Sequence, residues 1–156
     1  MKKFLIIGST NAIKYKGVFP LLKDNQVWLG YVANKGMAFV RPDGSLKSVN
    51  ICWYTNLNRT GPKNIKTLSK KYDPELYPKY DNYDVIEVGK INDIPIDYGG
   101  AMGVPITFFA WDQYNVEFEI LGIASPVRWL GYECITKING KNLFERVLIK
   151  NKKVQK

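Results

Sequence analysis

The chain has 156 residues, enough for one domain with a sizeable core, and its 46% hydrophobic and 24% charged residues are ordinary for a globular protein. It contains no histidine, which removes Ser-His and Cys-His nucleophile pairs, imidazole general bases and the commonest metal ligand. The net charge of +9 is segregated: residues 1–71 carry +11, residues 72–122 carry −8 and residues 123–156 carry +6, a pattern that suits a positive surface meeting a polyanion.

Phe4-Leu-Ile-Ile-Gly8 is an apolar run ending in glycine. It reads as a strand buried on both faces, an interior element of a parallel sheet, with nothing upstream to flank it. Thr10 or Asn11 can cap the helical segment that follows. Ala12, Tyr15, Phe19 and Leu22 share one helical face. Pro20 lacks an amide hydrogen, so the helix breaks near Val18 and resumes with Pro20 in its first turn. Val27 to Val32 is a second strand.

Ala38 to Arg41 and Ser48 to Asn56 form a hairpin around Pro42-Asp43-Gly44, where proline presets φ and glycine accepts positive φ. In the return strand Val49, Ile51 and Trp53 share one face, and Asn50, Cys52 and Tyr54 the other. Residues 57–82 show no clear period and read as a long loop. Its lysines precede Tyr72, Tyr77, Tyr80 and Tyr83, which are interleaved with prolines. Residues 83–88 resume a strand. Asp93 to Pro105 is irregular, Pro105 to Phe109 a short strand, and Glu117 to Ile123 a stronger one. A closing hairpin runs from Cys134 to Ile138 and from Leu143 to Lys150 about Asn139-Gly140. The Lys-rich tail is expected to fray.

No run approaches the ~18 apolar residues of a membrane span, and the N-terminal run is too short for a signal peptide, so cytoplasmic residence is expected. Cys52 and Cys134 form no Cys-x-x-Cys pair and read as two buried, unpaired residues. Gly8-Ser-Thr-Asn matches neither a dinucleotide nor a Walker A fingerprint, and Gly99-Gly100-Ala-Met-Gly103 reads as a flexible loop. Asp93 with Asp97, and Asp81 with Asp84, lack the fixed, differing environments that acid–base work needs. No catalytic, cofactor-binding or metal-binding residue is therefore assigned. Arg41, Arg59, Lys63, Lys66, Lys70 and Lys71 can neutralise phosphates, and Tyr72 and the tyrosines after it can either stack on bases or pack against the domain.

Several ordered strings carry a resemblance. They include Lys3-Phe-Leu-Ile-Ile-Gly8, Trp28-Leu-Gly30 and Gly36-Met-Ala-Phe-Val-Arg-Pro-Asp-Gly-Ser45. Further on come Tyr77-Pro-Lys-Tyr-Asp-Asn-Tyr-Asp84, Met102-Gly-Val-Pro-Ile-Thr-Phe108, Phe118-Glu-Ile-Leu-Gly-Ile123 and Ile138-Asn-Gly-Lys141. Together they resemble the EcoRI-type family of adenine-specific DNA methyltransferases over nearly the whole chain. The resemblance implies methyl transfer from S-adenosylmethionine to N6 of a flipped adenine in DNA, and a Rossmann-like sheet with helices on both faces. It also implies a Gly-rich cofactor loop and a catalytic Asn-Pro-Pro-Phe segment upstream of the strand that matches Phe4–Gly8. Neither motif occurs here.

The resemblance therefore implies an α/β chain that is the C-terminal part of a Rossmann-like, S-adenosylmethionine-dependent methyltransferase sheet, with β-hairpins and a long loop insertion. One partial domain, 1–156, is expected: a strand-helix-strand and hairpin (1–56), a basic, Tyr-rich insertion (57–104), and closing strands with a hairpin (105–156). Such a chain would be inactive alone and bind no cofactor by itself. It would partner DNA and either an N-terminal half on a separate chain or a second copy through the first strand. The alternative is a non-catalytic nucleic-acid-binding or structural remnant.

Overall fold

The computed structural model describes residues 1–30, 37–58, 67–112 and 114–154. The chain divides into two compact units, Met1–Asn64 and Ile65–Lys156.

In the first unit, β1 (Leu5–Ser9) lies at the edge of a three-stranded sheet of order β1-β5-β2, with β2 at Trp28–Leu29 and β5 at Ile51–Thr55. Both pairings are antiparallel. The parallel, doubly buried setting expected for Phe4–Gly8 is not what forms: Leu5, Ile6 and Ile7 are 54%, 55% and 45% exposed. An apolar run signals burial only when something covers it, and the described residues of this unit cover one edge alone.

The start of β1 is fixed by side chains from the end of β5. Asn56 Oδ1 accepts from the Phe4 amide at 2.9 Å, and Thr55 Oγ1 donates to the Phe4 carbonyl at 2.7 Å. The Tyr54 hydroxyl donates to the Ser9 carbonyl at the other end, 2.7 Å away. Ser9, rather than Thr10 or Asn11, caps the 3-10 turn Thr10–Lys14, its Oγ accepting from the Asn11 amide. α1 (Phe19–Lys23) begins one residue before Pro20, as the missing proline amide requires, and buries Phe19 and Leu22. Ile13 is buried, whereas Tyr15 is 56% exposed, so the single helical face expected through Tyr15 is interrupted where the 3-10 turn ends.

The hairpin comes next. β3 (Met37–Val40) pairs with β4 (Leu46–Val49), and a break at Asn50 separates β4 from β5. The expected period-2 faces hold in β5, where Cys52 and Tyr54 are buried and Ile51 and Trp53 partly so.

The second unit is built on a mixed five-stranded sheet of order β6-β7-β12-β8-β9. β6 (Val85–Glu87) runs parallel to β7 (Ala101–Pro105), and β12 (Arg146–Asn151) lies antiparallel to both β7 and β8 (Phe118–Ala124). β9 (Gly131–Tyr132) runs parallel to β8. The register of β12 on β8 shifts between Leu148 and Ile149, leaving Leu121 as the extra residue of a bulge.

Ala101–Pro105, read from its glycines as loop, is thus an interior strand, and where a strand was expected over Pro105 to Phe109 a 3-10 helix, Ile106–Ala110, forms instead. That turn packs aromatic rings: Phe108 lies 5.9 Å from Trp111 and 5.7 Å from Phe118, each edge to face. A short helix, α2 (Tyr114–Glu117), adds Tyr114, whose ring is 5.3 Å from Phe108. Another cluster joins Tyr80, Val85, Ala124 and Leu148.

The Asn139-Gly140 turn forms with positive φ at both residues, joining β10 (Lys137–Ile138) to β11 (Lys141–Asn142). The closing hairpin is shorter than expected, because Arg146–Asn151 pairs with β7 and β8 rather than with residues 134–138. Cys52 is buried, as expected, but Cys134 is exposed. Among the described residues no helix is long and apolar enough to cross a membrane, and no group of three His, Cys, Asp or Glu stands where it could hold a metal.

Candidate nucleic-acid interface

Charge divides with the units. Residues 1–64 carry ten Lys and Arg against Asp24 and Asp43, a net +8, while residues 65–156 carry thirteen against twelve, a net +1. Nearly all of the excess positive charge that favours a polyanion thus belongs to the first unit.

Within that unit the β3–β4 hairpin presents one of the candidate cations, Arg41. The Arg41 carbonyl accepts from the Gly44 amide at 2.9 Å, and the Arg41 amide donates to the Ser45 carbonyl at 2.8 Å. Gly44 has φ +82°, as a three-residue loop ending in a left-handed residue demands. Asp43 Oδ1 accepts from both the Ser45 hydroxyl, at 2.7 Å, and the Ser45 amide, at 2.9 Å. These bonds, the hydroxyl's first, hold the Asp43 carboxyl below its usual range, so the hairpin's one acid stays ionised and is committed to its own turn.

The register pairs Phe39 with Lys47 on one face and Val40 with Leu46 on the other. Phe39 is 45% exposed, and Val40 and Leu46 are 71% exposed. Sequence reasoning singled out Arg41 but missed this apolar set. The signal was present: Met37 to Val40 is uniformly apolar, so one face of a two-stranded ribbon must leave such side chains uncovered.

The other candidates are scattered. Arg59, Lys63 and Lys66 lie outside the described residues. Lys70 and Lys71 belong to the second unit, where both are exposed. They line a cavity of about 250 Å³ that Glu87 and Asp93 also line, so carboxylates oppose an anion there. Tyr72 is half-buried, its ring 4.4 Å from Tyr98 and 5.9 Å from Tyr77, and its amide donates to Asp97 at 2.7 Å. Tyr77 and Tyr80 are buried. The Tyr77 hydroxyl donates to the Asp93 carbonyl at 2.7 Å, and that of Tyr80 to the Glu87 carboxylate. These tyrosines pack against their own unit.

The paired acids also have structural employment. Asp81 accepts from the Asn139 and Gly140 amides at 3.1 and 2.7 Å, fixing the turn, and Asp84 pairs with Lys79 at 2.7 Å.

A second feature of the first unit is the border of β1. Beside it lies an apolar cavity of about 250 Å³ lined by Phe4, Ile6, Ala12, Val18, Leu21 and Val27, among others. Burial pushes the neighbouring Tyr54 hydroxyl far above its usual range, with Cys52 adding to the effect, so this hydroxyl stays protonated.

Comparison with known proteins agrees with the strings in the sequence. The family model described as adenine-specific methyltransferase EcoRI matches residues 1–153. The Type II methyltransferase M.EcoRI of Escherichia coli is 42% identical over 99% of this chain and 52% of its own length. M.MpnI of Mycoplasma pneumoniae and M.MgeORF184P of Mycoplasma genitalium, both Type II methyltransferases, are each 33% identical. Their matches cover 97% and 98% of this chain and 57% and 58% of their own lengths. The chain therefore spans little more than half the length of these relatives. No solved structure gives a significant match. With the family model spanning all but the last three residues, the chain belongs to the EcoRI family of adenine-specific methyltransferases.

Proposed function

We propose that this chain is the DNA-contacting, C-terminal portion of a DNA adenine-N6 methyltransferase, and that the rest of the enzyme supplies S-adenosylmethionine binding and catalysis. The observation that carries the reading is the β1 border: three consecutive large apolar residues, Leu5, Ile6 and Ile7, about half exposed on an edge strand beside an apolar cavity. A strand of this composition belongs inside a sheet. The relatives have over two-fifths of their length outside the match, enough to supply neighbours for it. In this reading β1 pairs with a strand of the remaining portion, and the two portions together complete a Rossmann-like sheet. The net +8 of residues 1–64 then faces the DNA backbone.

The test is co-expression with a polypeptide carrying the rest of the family's length, including a Gly-rich loop and an Asn-Pro-Pro-Phe segment. The two chains are expected to co-purify and to transfer labelled methyl groups from S-adenosylmethionine to adenine in DNA, with neither doing so alone. Tight S-adenosylmethionine binding by this chain alone would overturn the division of labour. Co-purification and DNA binding without methyl transfer would favour a non-catalytic DNA-binding module.

A further inference from the structure

We propose that the β3–β4 hairpin is the element that enters a groove of duplex DNA, with the Val40–Leu46 face against the bases and Arg41 and Lys47, from the other face, reaching the flanking phosphates. This rests on the reading of the chain as a DNA methyltransferase portion, and assigns the contact to one element. Four observations converge. The hairpin is a separate two-stranded ribbon, a shape that the major groove, about 12 Å wide, admits. Its large apolar side chains are the reverse of a solvent-facing design, with Val40 and Leu46 at 71% exposure directly opposite each other. Its two cations flank that pair from the other face, Lys47 opposite Phe39 and Arg41 following Val40. Its single carboxylate, Asp43, is tied into the turn by Ser45.

An apolar patch alone fits a protein partner equally well. The cations favour DNA, because they sit in a unit of net +8 and a duplex presents a regular array of negative charge about them. Phosphate contacts position a protein, and apolar and aromatic side chains at a groove floor read or pry at base steps. The hairpin carries both kinds of group within five residues of its turn.

The experiment uses the full chain and a labelled mixed-sequence duplex, with affinity measured over a salt series. Arg41→Ala with Lys47→Ala is expected to lower the slope of log K against log salt by about 2, since each lost phosphate contact removes about 0.9. Val40→Ser with Leu46→Ser is expected to weaken binding roughly tenfold while leaving that slope unchanged. A photoreactive benzoylphenylalanine placed at position 40 is expected to crosslink to the duplex, and one at exposed Leu76 of the second unit is not.

If the wild-type chain binds DNA but both sets of variants match it and position 40 does not crosslink, the hairpin assignment is overturned while the DNA reading stands. If the wild type shows no salt-dependent affinity, both fall. If the apolar set abolishes co-purification with the remaining portion and leaves DNA affinity intact, the hairpin is a protein contact and the proposal is wrong.

Discussion

Arg146 grips Glu87 with two nitrogens across the five-stranded sheet: Nη2 donates to Oε1 at 2.9 Å and Nε to both oxygens at 3.1 Å. The two side chains are only 14% and 12% exposed. The Tyr80 hydroxyl donates to the same carboxylate, so three strands or their flanks meet at one charge. Removing one partner of such a pair strands the other in a poorly solvated place. Arg146→Met should therefore destabilise the chain by about 3 kcal/mol in chemical denaturation. Adding Glu87→Gln should recover part of that loss, because the stranded charge goes with it. Additive losses in the double variant would show that the pair is not coupled as described.

Gly103 is required by what lies over it. A Cβ built there would stand 2.7 Å from Tyr80 Cζ and closer still to its hydroxyl oxygen. Gly103→Ala should push the Tyr80 ring aside and weaken its bond to Glu87. The combined overpacking and lost charge-assisted bond amount to roughly 2–4 kcal/mol. Tyr80→Phe in the same chain removes the nearest clashing atom and should lessen the damage of the alanine. Equal stability of Gly103→Ala and the wild type would refute the packing.

This glycine also shows where the sequence could and could not be read. The turns at Pro42-Asp43-Gly44 and Asn139-Gly140 were legible because their conformations are set by the residues within them. The faces of β5 were legible for the same local reason, strand alternation. Ala101–Pro105 was not, because Gly103 is dictated by Tyr80, more than twenty residues away, and a glycine-rich strand looks like a loop until that ring is placed. Pro105 to Phe109 read as a short strand, yet the rings of Phe108 and Phe109 are spent on one another and on Trp111, Tyr114 and Phe118 in the 3-10 turn Ile106–Ala110. The exposure of Leu5, Ile6 and Ile7 was hidden because an apolar run carries no mark of which neighbours are at hand. For the candidate interface, residue type pointed to Arg41, but the pairing of Val40 with Leu46 needed the register.

The two cysteines should differ sharply in reactivity. Cys134 is exposed, whereas Cys52 is buried and its thiol is pushed up by that burial. A thiol reagent at neutral pH should label one site in the native chain and two after denaturation, and Cys134→Ser should abolish the native labelling. Fast labelling of Cys52 in the folded Cys134→Ser chain would mean that β5 opens readily.

Alkaline pH should unfold the protein through its buried tyrosines. Burial, above all, pushes the Tyr54 and Tyr80 hydroxyls far above the ordinary value of 10.0; Cys52 adds to this at Tyr54, and the Glu87 contact adds at Tyr80. A phenol whose proton is held more tightly in the folded state contributes nothing below the unfolded pKa, since both states are then protonated. Above it the unfolded chain ionises and the folded chain does not, so stability falls with a limiting slope of about 1.4 kcal/mol per pH unit for each such tyrosine. Denaturation midpoints should thus decline once the pH passes about 10. In a native titration followed by phenolate absorbance, the signals of Tyr54 and Tyr80 should be missing until unfolding releases them. Tyr80→Phe should remove its share of the slope and of the delayed signal, even though it lowers stability at neutral pH. Should all ten tyrosines of the native chain ionise together near their ordinary pKa, the burial of these two hydroxyls is refuted.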